Sequence, residues 1–157
     1  MPLTVLGLGS NVGNREENMA DALSMLEENS AVSIERLSSL YETTPFDVIS
    51  EQEDYLNCCV LVQTSLSPGE LLETCHDIEN ALGRKRLEYH GARTMDVDIL
   101  LYENASMDTE KLTIPHKGIL LRAFVLVPLM ELFPNRKALG LDFSEVHVDF
   151  EAVRLFK

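Results

Sequence analysis

The first 64 residues alternate between short apolar runs and one amphipathic segment. The run Leu3–Gly9 predicts a strand, and Asn14 followed by Glu17 forms a capping pattern for a helix that extends to residue 28. The apolar residues that recur there at helical spacing are Met19, Ala22, Leu23 and Leu26. β-Branched and aromatic residues at 32–41 predict a second strand, and Tyr55–Thr64 predicts a third. The pattern therefore predicts β-α-β-β over this half of the chain.

A second helix and a fourth strand follow. Ser67-Pro68-Gly69-Glu70 combines a Ser N-cap, Pro at N1 and Glu at N3, and the predicted helix ends at Gly83. Its predicted buried stripe consists of Leu71, Leu72, Cys75, Ile78 and Leu82. The strand is predicted within residues 93–102. The order β-α-β-β-α-β predicts an α+β ferredoxin-like sandwich, with a mainly antiparallel sheet and flanking helices on one face.

The pattern weakens beyond residue 103. Three prolines punctuate residues 114–135, which predicts short helical turns, one of them beginning at Pro128. The segment from Gly140 fits either a strand, in which Val146, Val148 and Phe150 alternate, or a last helical turn with Phe150, Val153 and Arg154. At 157 residues, one domain spanning 1–157 is expected.

Two carboxylates interrupt the predicted strand at 93–102. Alternation places Thr94, Asp96 and Asp98 on one face, with side chains roughly 6.5 to 7 Å apart along the strand. The opposite, apolar face is expected to carry Met95, Val97, Ile99 and Leu101. The carboxylate spacing suits two Mg²⁺ ions, which prefer oxygen ligands. The alternative is an edge strand with a solvated acidic face.

Basic residues concentrate beside this strand. Arg84, Lys85, Arg86 and Arg93 fall within ten positions and would place phosphate-binding donors next to the carboxylates. Alternatively, they are solvated cations at the end of a helix, where the macrodipole favours them. A second basic group consists of Lys111, His116, Lys117 and Arg122, each of which, taken singly, reads as a surface residue.

Two further patterns bear on ligand binding. Tyr55 and Asn57 share one strand face, where they would stack on and hydrogen-bond a flat heterocycle, or form an ordinary cross-strand aromatic with a solvated amide. The glycines of 7–13 do not have the spacing of a nucleotide-binding loop and are expected to serve packing and a tight turn.

Composition narrows the partners. The formal net charge of −13 argues against nucleic acid or an anionic membrane as a partner, so small molecules are expected. Three cysteines without a C-x-x-C pair, and the absence of a secretory signal, predict a cytoplasmic protein. No apolar segment approaches the roughly 20 residues that cross a bilayer. A monomer is expected.

Six blocks along the chain resemble one enzyme family. They are Gly9-Ser10-Asn11, Tyr41-Glu42-Thr43 with Pro45, Asp54-Tyr55-Leu56-Asn57, Gly83-Arg84, Arg93-Thr94-Met95-Asp96-Val97-Asp98-Ile99, and Leu112-Thr113-Ile114-Pro115-His116. In order and approximate spacing they resemble the 6-hydroxymethyl-7,8-dihydropterin pyrophosphokinases of folate biosynthesis, over roughly residues 3 to 134. The resemblance implies that the pyrophosphoryl group of ATP is transferred to the hydroxymethyl oxygen of the pterin, leaving AMP.

The resemblance also implies roles for individual residues. Asp96 and Asp98 would bind two Mg²⁺ ions, and together with Arg84 and Arg93 they would form the catalytic set. The residues implied for ATP binding are Glu79, Arg84, Arg93, Ile99, Lys111, Thr113, His116 and Arg122. Those implied for the pterin are Thr43, Thr44, Pro45, Phe46, Tyr55, Asn57 and Phe124, with Tyr55 and Phe124 sandwiching the ring.

The chain departs from the family pattern in places. Ala92 stands where a proline is usual and His90 where a large aromatic is frequent, so the closure of the loop at 85–92 does not follow from the resemblance. Two alternative functions remain at this stage: another two-metal phosphotransferase or phosphohydrolase, and a non-catalytic ferredoxin-like ligand-binding module.

Overall fold

The computed structural model describes residues 1–43, 54–83 and 95–157. The elements of its first two segments are β1 (Leu3–Ser10), α1 (Arg15–Glu28), β2 (Val32–Leu37), β3 (Tyr41–Thr43), β4 (Tyr55–Thr64) and α2 (Pro68–Gly83). The elements of the last segment are β5 (Asp96–Tyr102), β6 (Met107–Asp108), β7 (Thr113–Ile114), α3 (Ala123–Leu132), β8 (Lys137–Ala138), β9 (Leu141–Asp142), a 3-10 turn (Phe150–Ala152) and β10 (Val153–Leu155).

Side-chain caps begin both of the predicted amphipathic helices. The Asn14 side chain accepts a hydrogen bond from the Glu17 N–H at 3.1 Å, which starts α1. Ser67 and Glu70 form a reciprocal capping box at α2, with donor–acceptor distances of 2.9 and 3.2 Å. The two helix starts predicted from the sequence are confirmed.

Within the described residues, the main sheet has the order β10-β3-β4-β1-β5, and β2 pairs with the remaining part of β4. All of these pairs are antiparallel. The α+β fold with a mainly antiparallel sheet is therefore confirmed. Strand β1 lies between β4 and β5, so it separates Asn57 from the two aspartates by one strand.

The predicted strand at 32–41 is divided into β2 and β3. Both pair with the ten-residue β4, at its two different ends. The break coincides with Ser38, whose Oγ accepts the Cys59 N–H at 2.9 Å. A serine side chain that bonds to the backbone in this way takes the place of a regular ladder contact.

The sheet is covered on both faces. Helices α1 and α2 pack on one face against a core that includes Leu6, Leu56 and Val97, whereas α3 packs on the other against Val5, Leu61 and others. The two helices of the predicted β-α-β-β-α-β unit thus lie on one face, as predicted, and α3, which lies beyond that unit, covers the other face. Apolar residues point from the same strands in both directions, so each face needs a cover.

Leu101 does not lie on the face that alternation predicted. A register shift between Val5 and Leu6 of β1 leaves Leu100 as an extra residue in β5. Met95, Val97 and Ile99 are buried towards α2, but Leu101 joins the core beneath α3. A bulge of this kind changes the side on which every later residue of the strand points.

The helix near Pro128 begins earlier than predicted. Helix α3 starts at Ala123 and continues through Pro128, which lies inside it. Leu126, Leu129 and Leu132 are buried against the sheet, and this packing outweighs the one backbone hydrogen bond that a proline removes. Neither alternative for the last residues is right by itself, because Val146 and Val148 lie in no strand, Phe150–Ala152 forms a 3-10 turn, and the antiparallel strand beside β3 is Val153–Leu155.

None of the helices within the described ranges is both long enough and apolar enough to cross a membrane.

Candidate active site

The strand register brings the predicted site residues onto the sheet face that α3 partly covers. Asp96 is paired with Gly9, and Gly9 is paired on its other side with Asn57. Asp98 is paired with Gly7. With strands about 4.8 Å apart, the backbones of Asp96 and Asn57 lie about 10 Å from one another across β1. The carboxylates and the amide therefore face a shared surface.

The glycines of β1 make room on this surface for the side chains of neighbouring strands. A Cβ placed on Gly9 would lie 3.0 Å from the Asn57 amide oxygen, and one on Gly7 would lie 3.1 Å from Leu100 Cδ1. Any larger residue at position 9 would therefore displace Asn57. These contacts agree with the packing role predicted for the glycines.

The described residues predicted to bind the pterin lie around Asn57. Its amide nitrogen donates to Thr43 Oγ1 at 3.0 Å, and Tyr55 is paired with Thr43 across β3 and β4. An amide has two N–H donors and an acceptor oxygen, so this bond fixes its plane and leaves capacity for a ligand. Phe124 lies in the first turn of α3, next to Val125, whose carbonyl oxygen is 3.8 Å from the Cys59 Sγ.

A cleft of about 440 Å³ lies at the outer edge of β5. It is bounded by α2, by β5 and by the segment around residues 109–122. The predicted residues that line it are Glu79, Asp98, Ile99, Lys111, Thr113, His116 and Arg122. All the described residues that are predicted to bind ATP thus line one cleft, together with Asp98. Asp96 is half-buried and Asp98 is exposed.

Two hydrogen bonds organise the β5 edge of the cleft. The Glu79 carboxylate accepts the Val97 N–H at 2.9 Å, and the Leu100 carbonyl accepts the His116 N–H at 3.0 Å. The His116 Nδ1 accepts the Gly118 N–H at 3.1 Å. In the neutral ring the proton must then be on Nε2, so this histidine is prepared to donate rather than to accept.

The cleft gathers cations in an acidic chain. Lys111, Lys117 and Arg122 line it together with His116, and the carboxylates of Glu79, Asp98 and Glu110 line it as well. The cations suit an anion, and the carboxylates beside them suit a metal ion. The Arg122 guanidinium also lies 5.6 Å from the centre of the Phe124 ring. Arg122 therefore connects the cleft to the aromatic residue predicted to cover the pterin.

Two carboxylates of the cleft contribute to the raised pKa of a buried thiol beside it. Burial, followed by the charges of Glu79 and Asp98, raises the pKa of Cys75 to about 12. Burial also raises the pKa of Cys58, in β4, to about 12, without a contribution from those carboxylates. Cys75 is thus a buried, neutral residue next to the site. Among the described residues, Cys75 and His76 do not belong to any group of three or more side chains that could hold a metal ion.

The described donors fit a hard cation that shares its ligands with phosphate. In the three described segments, no group of three or more His, Cys, Asp or Glu is arranged to hold a metal. A pair of carboxylates on one strand face leaves several coordination positions for phosphate and water oxygens, which is how Mg²⁺ is usually bound beside nucleotides. Asp96 and Asp98 therefore fit Mg²⁺ better than a metal caged by protein alone.

Five predicted site residues cannot be placed. Arg84 and Arg93 of the catalytic set, and Thr44, Pro45 and Phe46 of the pterin set, lie outside the described residues, as do Ala92 and His90.

The cleft also contains residues that sequence reasoning missed. Leu72 and His76 line it with Glu79. The three occur at i, i+4 and i+7 of α2, so they share one helix face. Helical spacing from Glu79 was the signal that could have found them.

The sequence of this chain is similar to that of one enzyme family. The family model described as 7,8-dihydro-6-hydroxymethylpterin-pyrophosphokinase (HPPK) matches residues 5–134. The chain is 39% identical over 155 residues to the 2-amino-4-hydroxy-6-hydroxymethyldihydropteridine pyrophosphokinase of Bacillus subtilis, covering 99% of this chain and 90% of that protein.

Other similar proteins are longer. The bifunctional protein FolKE of Lactococcus lactis is 38% identical over 135 residues, which cover 86% of this chain and 38% of that protein. The HPPK-DHPS of Plasmodium falciparum, in a crystal structure with SDX-DHP, superposes with a TM-score of 0.65 at 17% identity. That match covers 90% of this chain and 42% of the other, and it supports the fold alone.

Proposed function

The chain belongs to the 7,8-dihydro-6-hydroxymethylpterin-pyrophosphokinase family, and on this premise we propose that it transfers the pyrophosphoryl group of ATP to 6-hydroxymethyl-7,8-dihydropterin. In this reaction the bond between the α- and β-phosphates of ATP breaks and the pterin hydroxymethyl oxygen bonds to the β-phosphorus. The hydroxyl proton is released, and AMP leaves. The product serves folate biosynthesis, and residues 1–157 act as one pyrophosphokinase domain.

The observation that carries the proposal is the register of three strands. Asn57 of β4 and Asp96 of β5 face the same side of the sheet across Gly9 of β1. An amide suited to a heterocycle edge and a carboxylate suited to a metal thereby lie about two strand spacings apart. A pterin bound at Asn57 would extend its hydroxymethyl group towards the metal-binding end of β5.

The described residues divide the work between the two substrates. Tyr55 and Phe124 hold the pterin ring, Asn57 selects its hydrogen-bonding edge, and Thr43 orients the Asn57 amide. Lys111, His116 and Arg122 bind the triphosphate, while Thr113, Ile99 and Glu79 form the walls of its cleft. Arg84 and Arg93 complete the phosphate contacts.

Asp96 and Asp98 would hold two Mg²⁺ ions, which when bound supply Lewis-acid stabilisation of phosphate charge. The carboxylates orient this charge relative to the pterin site, because they project from the same β-strand two residues apart. No described side chain is required as a strong general base, since phosphoryl transfer depends mainly on positioning and charge neutralisation.

The decisive experiment identifies the nucleotide product. The protein is incubated with ATP, Mg²⁺ and 6-hydroxymethyl-7,8-dihydropterin, and nucleotides are separated by chromatography. AMP formed in equal amount to pterin diphosphate supports the proposal. ADP as the sole nucleotide product contradicts it, and product formed at the same rate without pterin indicates a phosphohydrolase.

We also propose that the protein acts as a monomer, because a net charge of −13 disfavours self-association. Sedimentation at enzyme-assay concentrations tests this, and a stable dimer contradicts it.

A further inference from the structure

The strand β10 lies outside the residues matched by the family model, which end at 134. It is nevertheless the neighbour of β3, and its residue Val153 is paired with Thr43. Beyond β10, the Leu40 carbonyl accepts the Phe156 N–H at 2.8 Å, and the Lys157 carbonyl accepts the Leu40 N–H at 2.9 Å. The chain after residue 152 therefore holds β3 from the side opposite to β4.

Four charged residues connect these strands on the other face of the sheet, and we name Arg15, Glu42, Asp54 and Arg154 the brace. Arg15 Nη1 lies 2.7 Å from the Glu42 carboxylate and donates to the Asp54 carbonyl oxygen at 2.8 Å. Arg154 pairs with the Asp54 carboxylate and lies 3.7 Å from that of Glu42. The brace thus joins α1, β3, the start of β4 and β10.

Strand alternation separates the brace from the proposed pterin surface. Glu42 and Thr43 are consecutive in β3, and Asp54 directly precedes Tyr55. Consecutive strand residues point to opposite faces, so Glu42 lies behind the surface on which Thr43 lies. The brace therefore acts on the pterin surface through the backbone and does not contact the ligand.

The local environment makes the Arg15 pair stronger than an ordinary surface pair. The side chains of Arg15 and Glu42 are 19% and 24% exposed, so water screens their attraction only partly. The Arg15 guanidinium also lies 5.5 Å from the centre of the Phe156 ring. Both hydrogen bonds come from the single nitrogen Nη1, which joins the Glu42 carboxylate of β3 to the Asp54 carbonyl oxygen directly before β4.

The three-residue β3 needs such support. Its register with β4 comprises the pairs Tyr41–Asn57, Glu42–Leu56 and Thr43–Tyr55. Every one of these pairs contains or adjoins a residue of the proposed pterin site. A shift of β3 would break the 3.0 Å hydrogen bond between Asn57 and Thr43.

We propose that Arg15 and Arg154 are positioning residues, which through Glu42 and Asp54 hold β3 and β4 at the separation that pterin binding requires. This inference rests on the proposed function. It assigns to β10 a contribution to pterin affinity that does not extend to the nucleotide, since the cleft for ATP lies at the opposite edge of the sheet.

The test compares substitutions within the brace with a control outside it. Arg15→Ala and Arg154→Ala each remove a brace cation. Lys157→Ala removes a different contact between the same tail and α1, the 2.9 Å ion pair with Glu16, which involves no brace residue. Each variant is measured for dihydropterin Kd and KM, for the Kd of a non-hydrolysable ATP analogue, for kcat and for thermal unfolding.

Arg15→Ala is expected to raise the Kd and KM for dihydropterin about tenfold, with nucleotide Kd and kcat within about twofold of wild type. Arg154→Ala is expected to give a smaller increase, about threefold, because its side chain is 47% exposed. Arg15→Lys is expected to recover part of the loss, and Lys157→Ala to leave pterin binding unchanged.

Three results would overturn the inference. They are unchanged pterin affinity in both brace variants, an equal loss of pterin and nucleotide affinity, and a loss in Lys157→Ala as large as that in Arg154→Ala. If Arg15→Ala fails to fold, the more exposed Arg154→Ala and the conservative Arg15→Lys decide. The wild-type product assay is read separately: wild type without AMP formation rejects the proposed function, whereas an active wild type with unaffected brace variants rejects only this inference.

Discussion

The two ends of the sheet differ in the kind of ligand that their side chains can bind. At the β5 edge, Lys111, Lys117 and Arg122 share a cleft with Glu79 and the exposed Asp98. At the β3–β4 end, the described strand residues on the same face include Tyr41, Thr43, Tyr55 and Asn57, whose side chains are uncharged at neutral pH. Between them lies β1, whose Gly9 contributes no side chain.

The difference in charge between the two ends matches the two ligands proposed for them. A triphosphate needs cations and metal-binding carboxylates, because its charge dominates its binding energy. A pterin ring is flat and carries donors and acceptors on one edge, so stacking and an oriented amide suffice. Gly9 of β1, which has no side chain, separates the two proposed binding regions on one face of the sheet. Charge at one end and neutrality at the other would therefore direct each substrate to its place.

The largest loss of activity is expected from a substitution at the charged β5 edge of the sheet. Asp98→Ala is expected to reduce turnover by on the order of 10²–10³-fold or more, because a metal-binding charge is lost from the transition state. Its exposed side chain should leave the fold intact or slightly more stable, as repulsion between neighbouring carboxylates is relieved. AMP formation and thermal unfolding are measured together, and an unfolded variant would indicate a structural role for Asp98.

A substitution at the uncharged β3–β4 end is expected to weaken substrate binding rather than to slow the chemical step. Asn57→Ala is expected to weaken dihydropterin binding about tenfold, since an oriented hydrogen-bonding amide is removed. The Kd of an ATP analogue, measured by calorimetry, should remain unchanged. Gly9→Ala offers a matched perturbation, because its Cβ would displace the Asn57 oxygen, which lies 3.0 Å away. Pterin affinity equal to wild type in both variants would contradict the assigned role of Asn57.

A smaller effect is expected from the cations of the cleft. Lys111→Ala should raise the KM for ATP about threefold, and the effect should shrink as salt concentration rises because exposed charges are screened. The KM for dihydropterin should not change. Steady-state kinetics at low and high ionic strength measure both, and a loss that is independent of salt would indicate that Lys111 acts through packing.

A last prediction concerns the stability of the protein rather than its activity, and it involves two buried thiols. The pKa of Cys58 and that of Cys75 are both raised to about 12 from an ordinary value of about 9. A raised folded-state pKa contributes stability that is complete below pH 9 and is lost as the pH rises from about 9 through about 12. The free energy of unfolding of the metal-free protein should therefore decrease over this window.

The same titration distinguishes the two ends of the sheet. Asp98→Asn should lower the pKa of Cys75, because Asp98 is one of its causes, and should leave that of Cys58 unchanged. Cys75→Ala and Cys58→Ala, each made with and without Asp98→Asn, separate the contributions in chemical unfolding measured across the pH range. An equal influence of Asp98 on both thiols would mean that the charge of the cleft is felt throughout the sheet.

Local patterns in the sequence were sufficient where neighbouring residues decide the structure. The caps at Asn14 and Ser67 predicted the starts of α1 and α2, and the apolar run at Tyr55–Thr64 predicted β4 with its bounds. The resemblance to the family predicted the fold and the activity, and the family is confirmed. The roles of the individual site residues stay predictions, to be tested by the variants above.

Local patterns failed where a distant contact intervened. Period-two alternation placed Leu101 on the wrong face, because the bulge depends on how β5 aligns with β1. Proline chemistry suggested a helix start at Pro128, whereas burial of Leu126, Leu129 and Leu132 carries α3 through that residue. Neither pattern at the last residues was right by itself, because pairing with β3 places the strand at Val153–Leu155, after a 3-10 turn at Phe150–Ala152.

The sequence by itself thus determined the β-α-β-β-α-β order of the first 102 residues, the helix caps, the carboxylate pair and the family. Only the tertiary structure decided that Asn57 faces Asp96 across Gly9 and that Arg154 reaches Glu42 and Asp54. The physical reason is range. Capping and periodicity depend on residues three or four positions apart, so they can be recognised in a short stretch of sequence. Strand register and the ion pair between Arg154 and Glu42 form only after the sheet has assembled.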